Sequence, residues 1–297
     1  MYEQITRNKW KSFFLIIFFL GLIFVLTWVF GELTGLGAHG LILAAIIAIL
    51  MTFGSYYASD KIVLAISKAK PIEKKDYPYL YNVVEGLAIA AGLPKPRCCL
   101  IDDTAPNAFA SGRNPRNSVI VVTKGLLEKL NRVELEGVIA HEMAHIKNYD
   151  VLVQTLAVVM VGIVALLSDW ILRSFLWGGG KRKGRSRGGG GAAALFILIA
   201  ILLATLSPLV AQLLRFSISR KREFLADASG ALLTRYPPGL ASALRKLAED
   251  REPLEVANKA TAHLYIVNPL KDIKGAVNKL FSTHPPIEER IAALEKM

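Results

Sequence analysis

Phe13 to Phe30 is an 18-residue run without a charged side chain, and Leu36 to Tyr57 is a 22-residue run whose only ionisable groups are His39 and two tyrosines near its end. No other feature limits the fold as strongly. A bilayer core needs about 20 apolar residues to be crossed by a helix. Within it every backbone N–H and C=O must find a partner inside the segment. Both runs therefore predict transmembrane helices. Val151 to Leu172, which holds Gln154 and Asp169, and Ala192 to Leu214, which holds Pro208 and Gln212, are less uniform and are read as a third and a fourth. A hydrophobic content of 53% agrees with an integral membrane protein, mainly α, with about four transmembrane helices.

Charge orients the first pair. Arg7, Lys9 and Lys11 precede the first run, as in a signal peptide. No small-residue cleavage site follows, and a second span comes directly after, so the run is read as a retained anchor. The turn from Gly31 to Gly35 carries Glu32 and no Lys or Arg, whereas Lys61, Lys68, Lys70, Lys74 and Lys75 follow the second span. The positive-inside rule puts the N-terminus and the segment from Asp60 in the cytoplasm. The second pair is harder to orient. Its connecting loop, Gly178 to Gly191, carries Lys181, Arg182, Lys183, Arg185 and Arg187 among glycines and reads as flexible and solvated. If both flanking runs cross fully, these charges lie outside, against the rule. Either the rule is broken here or this hairpin does not cross fully, and the sequence leaves both open.

The net charge of +12 fits anionic headgroups beside the spans. It does not point to nucleic acid, because no aromatic-basic interleaving accompanies it. Cys98 and Cys99 are the only cysteines and are adjacent. That is a poor disulfide framework, and they read as buried strand thiols in a reducing compartment.

The chain divides into a membrane hairpin (1–58), a soluble region (59–150), a second membrane hairpin (151–214) and a second soluble region (215–297). In the first soluble region, Tyr77 to Ala91 has helical periodicity ended by Gly92 and Pro94. Arg97 to Ile101 and Ser118 to Thr123 read as strands, with a further short strand at 107–112.

His141-Glu142-Met143-Ala144-His145 follows. Residues four apart on a helix share a face, so both imidazoles reach one metal ion, while Glu142 projects about 100° away and lies beside it. That pattern suits a zinc hydrolase whose glutamate takes a proton from water at the metal. Asn131 caps the expected helix with Glu134 as its capping-box partner. Val133, Val138, Ile139 and Ile146 supply its apolar face, and Asn148 is the expected exit.

A catalytic zinc usually takes a third protein ligand. The extended third-histidine pattern is missing, since Asp150 and Val151 occupy that region. Two candidates remain, Glu223 and His284. Glu223 is favoured, because Asp227 at i+4 can orient a ligand histidine. The competing reading of Glu223 and Asp227 is ion pairing with Arg220 or Lys221 on a solvated face. Unbroken helices from the spans would place the metal roughly 13–15 Å from the span ends, at the membrane surface.

His-Glu-Met-Ala-His at 141–145, Arg-Glu-Phe-Leu-Ala-Asp at 222–227, Asn-Ala-Phe-Ala-Ser-Gly at 107–112 and Ser-Thr-His-Pro-Pro at 282–286 together resemble the HtpX family of membrane-bound zinc metalloproteases, relatives of the CAAX prenyl proteases. The resemblance covers nearly the whole chain. It implies a zincin-like α+β metalloprotease domain with a small β-sheet, one Zn²⁺ held by His141, His145 and Glu223, and Glu142 as general base. It implies Asp227 behind a ligand, Asn107 hydrogen-bonded to the substrate backbone, and the following strand pairing with an extended substrate. It implies His284 beside the oxyanion with Arg290 in support; read alone, Arg290 could equally pair with Glu288 or Glu289. The implied activity is quality control of misfolded or damaged membrane proteins at the cytoplasmic face of the plasma membrane, without ATP. No P-loop pattern is present, in agreement. The Gly- and Arg-rich loop at 178–191 has no counterpart in that pattern. Two rival readings are a CAAX-type prenyl protease and a non-catalytic membrane adaptor or holdase of the same fold.

Overall fold

The computed structural model describes residues 2–33, 37–160, 162, 220–258, 261–269 and 285–297. The fourth apolar run, the loop at 178–191, His284 and most of the third run beyond 160 lie outside the described residues. Helices α1 (Tyr2–Leu33) and α2 (Gly37–Tyr57) carry the first two runs. Each contains a window long and apolar enough to cross a bilayer, Ile5–Val25 and His39–Tyr57. Phe14, Ile17, Ile42 and Leu50 are exposed on their outer sides, an apolar surface of the kind that lipid covers. Their inner sides meet through Leu15, Phe19, Ile23 and Ala48. The described start of the third run, α7 (Asp150–Met160), joins that cluster through Leu152, Val153, Leu156 and Met160.

After the short helix α3 (Ser59–Ile66) come strand β1 (Lys70–Pro71), helix α4 (Pro78–Ala91), and strands β2 (Arg97–Ile101), β3 (Ala108–Asn114) and β4 (Asn117–Thr123). Pro78 opens α4, and Gly92 closes it in the left-handed conformation at φ 68°. The end falls where the sequence places it, and the start comes one residue later, with Tyr77 as the N-cap. The sheet order is β1-β2-β4-β3. β2 and β4 pair in parallel, while β3 and β4 form an antiparallel hairpin in which Ala108 faces Val122 and Ala110 faces Ile120. Alternate residues serve opposite faces. Ile120 and Val122 join Cys98 in one core, and Val119 and Val121 join Cys99 in another. Coverage of both faces explains why Val119 to Val122 of β4 is an unbroken apolar run. The adjacent cysteines thus point to opposite sides, and both are free and buried. Burial pushes the Cys98 thiol up to about 12 and the Cys99 thiol to about 11.

The larger core lies between the sheet and the helices α5 (Lys124–Lys129), α6 (Arg132–Lys147), α8 (Arg220–Thr234), α9 (Pro237–Glu249) and α10 (Ile287–Leu294). Residues from both sides of the 161–219 segment contribute to it, among them Val138, Ile139, Ala231, Leu244 and Leu294.

Two expectations for α6 need correction. Val133 is 43% exposed and is not part of the buried face, whereas Val138, Ile139 and Ile146 are fully buried. The helix also does not run unbroken into the third apolar run. It ends at Asn148, Tyr149 takes a left-handed φ of 59°, and α7 starts anew at Asp150.

Candidate metal centre

The centre is built on α6, whose start is locked. The Asn131 side chain accepts from the Glu134 N–H at 3.1 Å, and the Glu134 carboxylate accepts from the Asn131 N–H at 2.8 Å. The same carboxylate accepts from Ser242 and Lys246 of α9 at 2.7 Å each. A capped helix held on every side is a rigid base for ligands.

His141 and His145 stand one turn apart with rings nearly perpendicular, at 86°, and their Nε2 atoms 3.1 Å apart. Glu223 of α8 approaches both: its Oε2 is 3.8 Å from His141 Nε2 and its Oε1 is 3.5 Å from His145 Nε2. Tetrahedral coordination with bonds near 2.05 Å puts ligand atoms about 3.3 Å from one another. The three observed separations scatter round that value, and the three donor groups converge within 4.8 Å. Two imidazoles and a carboxylate are also a donor set that zinc accepts. The residues therefore fit a metal ion. Glu223 and Asp227 are each at most 1% exposed, which removes the reading that placed them on a solvated face.

Each histidine is held by a carboxylate at its far nitrogen. Asp227 Oδ1 lies 2.9 Å from His141 Nδ1, and Asp150 Oδ2 lies 3.0 Å from His145 Nδ1. A carboxylate there fixes the proton on Nδ1 and turns the Nε2 lone pair to the metal. Burial pushes the His141 imidazole down to about 4, although Asp227 opposes the shift, so the ring is neutral and ready to ligate at pH 7. Burial alone would raise the Asp227 carboxyl; the Arg290 guanidinium outweighs it and holds that group below its ordinary range. Arg290 donates to Asp227 through Nε at 2.8 Å and Nη2 at 2.7 Å, and through Nη1 to the Ile266 carbonyl at 2.9 Å. Its observed partner is thus Asp227, not Glu288 or Glu289.

Glu142 is buried beside these three donor groups. Burial pushes its carboxyl up to about 7, with the Glu223 carboxylate adding to the shift and His145 and the Ala110 backbone N–H opposing it. A carboxyl poised near neutrality can take a proton and return it.

Asn107 sits at the start of β3 with its amide engaged: Nδ2 donates to the Val267 carbonyl at 2.9 Å, and Oδ1 accepts from the Ala108 N–H at 3.1 Å. The outer edge of β3, where the sequence reading places a substrate strand, meets the chain's own groups. The Ala108 carbonyl accepts from Ile266 N–H at 2.9 Å, the Ala110 N–H serves Glu142, and the Gly112 N–H donates to Thr155 at 3.1 Å. Tyr265 closes over this edge with its ring against Phe109, centroids 4.9 Å apart.

Asp150 is the site residue that the sequence reading missed. It lies five positions after His145, which on a continuous helix points well away from it. Only the left-handed turn at Tyr149 brings its carboxylate back.

A sequence model of Peptidase family M48 matches residues 74–297. The chain is 50% identical over 296 residues to a protease HtpX homolog of Dictyoglomus turgidum, covering 100% of this chain and 94% of that one. It is 43% identical over 297 residues to a protease HtpX homolog of Thermoanaerobacter pseudethanolicus, covering 100% of this chain and 98% of the other. The crystal structure of S. mikatae Ste24p aligns with 99% of this chain and 67% of its own at a TM-score of 0.53 and 20% identity, a likeness of fold.

Proposed function

Because the chain belongs to Peptidase family M48 and is a membrane metalloprotease, we propose that it is a zinc-dependent endopeptidase that cleaves misfolded or damaged membrane proteins at the cytoplasmic face, without ATP. The observation that carries this reading is the convergence of His141, His145 and Glu223 within 4.8 Å, with the near-neutral carboxyl of Glu142 beside them. We assign the ligand role to those three residues and the general base to Glu142. Zn²⁺ bound there would act as a Lewis acid on the scissile carbonyl and make water acidic enough to attack near pH 7. Glu142, steadied by the Ala110 N–H, takes the proton and passes it to the leaving amine. Asp227 and Asp150 keep the two imidazoles in the ligating tautomer.

Substrate engages the edge of β3 by main-chain pairing, which tolerates many side chains and suits an enzyme that meets unfolded sequences. It displaces Ile266 from the Ala108 carbonyl and Val267 from Asn107, whose amide then serves the substrate backbone. His284 supports the oxyanion. The four apolar runs act as membrane spans of a multi-pass plasma-membrane protein, with the basic flanks of the first pair in the cytoplasm.

Casein cleavage by the detergent-purified chain is the test, after chelation and then after zinc add-back. Glu142→Gln should keep its fold and zinc and lose cleavage, and Glu223→Ala should lose both zinc and cleavage. Full activity in Glu142→Gln sinks the mechanism. Cleavage of a prenylated peptide but not casein redirects the reading to a prenyl protease.

A further inference from the structure

We propose that Asn8, near the start of the first membrane helix, is a positioning residue for the metal centre, acting on His145 through Asp150. The proposal rests on the metal reading above and goes beyond it: α1 then belongs to the outer shell of the metal centre as well as to the membrane anchor.

Asn8 is 1% exposed. Its Nδ2 donates to the Asn148 carbonyl at 2.6 Å and to Asp150 Oδ1 at 2.8 Å. Its Oδ1 accepts from the Arg222 guanidinium, which also pairs with Asp150. All three partners matter to the site. Asn148 caps the metal-binding helix. Asp150 holds His145 Nδ1 through its other oxygen, Oδ2. Arg222 precedes the ligand Glu223 in sequence.

The geometry at Tyr149 explains why this tie is needed. A tyrosine at φ 59° adopts backbone that a non-glycine residue leaves unless its surroundings hold it. The Asn8 amide grips both flanks of that residue, the carbonyl before it and the side chain after it. The turn in this conformation is what returns Asp150 to His145. An amide fits this position because it supplies two donors and an acceptor at once. A hydrocarbon side chain there would leave a buried carbonyl and one carboxylate oxygen without that donor.

Zinc affinity is the readout, measured on the full chain in detergent by competition with a chromophoric chelator, with the visible spectrum of the Co²⁺-loaded protein as a second signal of ligand geometry. Substitutions behind metal ligands weaken binding about 10–100-fold, and one link further out the lower end is expected. Asn8→Ala should weaken zinc about 10-fold and alter the Co²⁺ spectrum. In an Asp150→Asn background the same substitution should change affinity less than about 2-fold, because the path runs through Asp150. Ser12→Ala, one turn along α1 and equally buried, is the control and should bind zinc as the wild type does. Asn8→Asp, nearly isosteric and without the donor, should also bind more weakly and is the variant to read if Asn8→Ala does not fold. Wild-type affinity and spectrum in a folded Asn8→Ala or Asn8→Asp chain overturn the proposal. So does an equal loss in both backgrounds, the mark of mere helix packing. A wild-type chain that takes up no zinc refutes the metal reading itself and is recognised separately.

Discussion

Gly230→Ala adds one methyl group where α8 crosses α6. The new Cβ would lie 2.9 Å from the His141 nitrogen and 3.2 Å from both the Ala140 carbonyl carbon and His141 Cα. Ordinary contact begins near 3.4 Å, so the helices must part by about 0.5 Å. No flexible side chain can give way, because every atom met is backbone. The global effect is small. Overpacking costs about 1–3 kcal/mol, and replacing a mid-helix glycine by alanine returns about 0.8–1.0 kcal/mol. The metal feels it more. Glu223 rides on the same helix two turns earlier, and metal sites accept only about 0.2 Å of error in ligand distance. Zinc affinity should fall at least about 10-fold, while the melting temperature of the metal-free chain moves by less than about 4 °C. Gly86→Ala on α4, where nothing lies within 4 Å of the added carbon, should leave zinc binding unchanged. Chelator competition and a thermal melt on the three proteins decide. Wild-type zinc affinity in Gly230→Ala would show that α8 can shift without carrying Glu223, and the rigid-helix argument would fail.

Arg290→Met leaves the buried Asp227 carboxylate without its guanidinium, and breaking a buried pair from one side costs about 3–5 kcal/mol. Urea or thermal unfolding should register that loss, with Arg290→Lys falling between because it keeps the charge and loses the two-pronged geometry; a Met variant as stable as the wild type contradicts the pairing. In the metal-free chain the Glu142 carboxyl, raised to about 7, holds a proton below that pH. A dication next to it expels the proton, so zinc affinity should rise with pH, by up to about tenfold per unit, until about pH 7 and then lose this dependence. The same titration of Glu142→Gln should lack this component; an unchanged slope would assign the proton elsewhere. For stability the sign is opposite: an acid raised from 4.5 to about 7 makes the metal-free fold less stable as pH rises through that window.

Local features were legible in the sequence because their physics is local. The capping box of Asn131 and Glu134, the His141 and His145 spacing, and the Gly92 terminus each depend on residues within one or two turns. Strands β2 and β4 were readable from their apolar runs, but their parallel pairing was not, since nothing in either run encodes its neighbour. The two-residue strand β1 carries too little pattern to be read at all. Arg290 shows how a local reading fails. Glu288 and Glu289 are near in sequence, yet residues one or two apart on a helix face away from one another. Its actual partner, Asp227, is 63 positions distant and meets it only in the folded core. Asp150 was hidden for a different reason: its role depends on a left-handed tyrosine, a conformation that sequence pattern does not announce.

The two imidazoles turn out to have parallel supports. His141 is backed by Asp227 and then Arg290, and His145 by Asp150 and then Arg222. The Asp227–Arg290 pair shows what such a support does. A carboxylate buried behind a neutral imidazole would otherwise take up a proton, and it would then no longer favour the ligating tautomer. At Asp227 the paired guanidinium outweighs that tendency and holds the carboxyl below its ordinary range. Toward a dication Glu142 adds its own charge above about pH 7. The two supports differ in where they are anchored. Arg290 comes from helix α10, inside the main core, whereas Asp150 and Arg222 meet Asn8 of α1, a helix apolar and long enough to cross a bilayer. Loss of α1 contact should therefore disturb His145 before His141, and a Co²⁺ spectrum that changes in Asn8→Ala while the Asp227–Arg290 pair stays intact is the form that asymmetry would take.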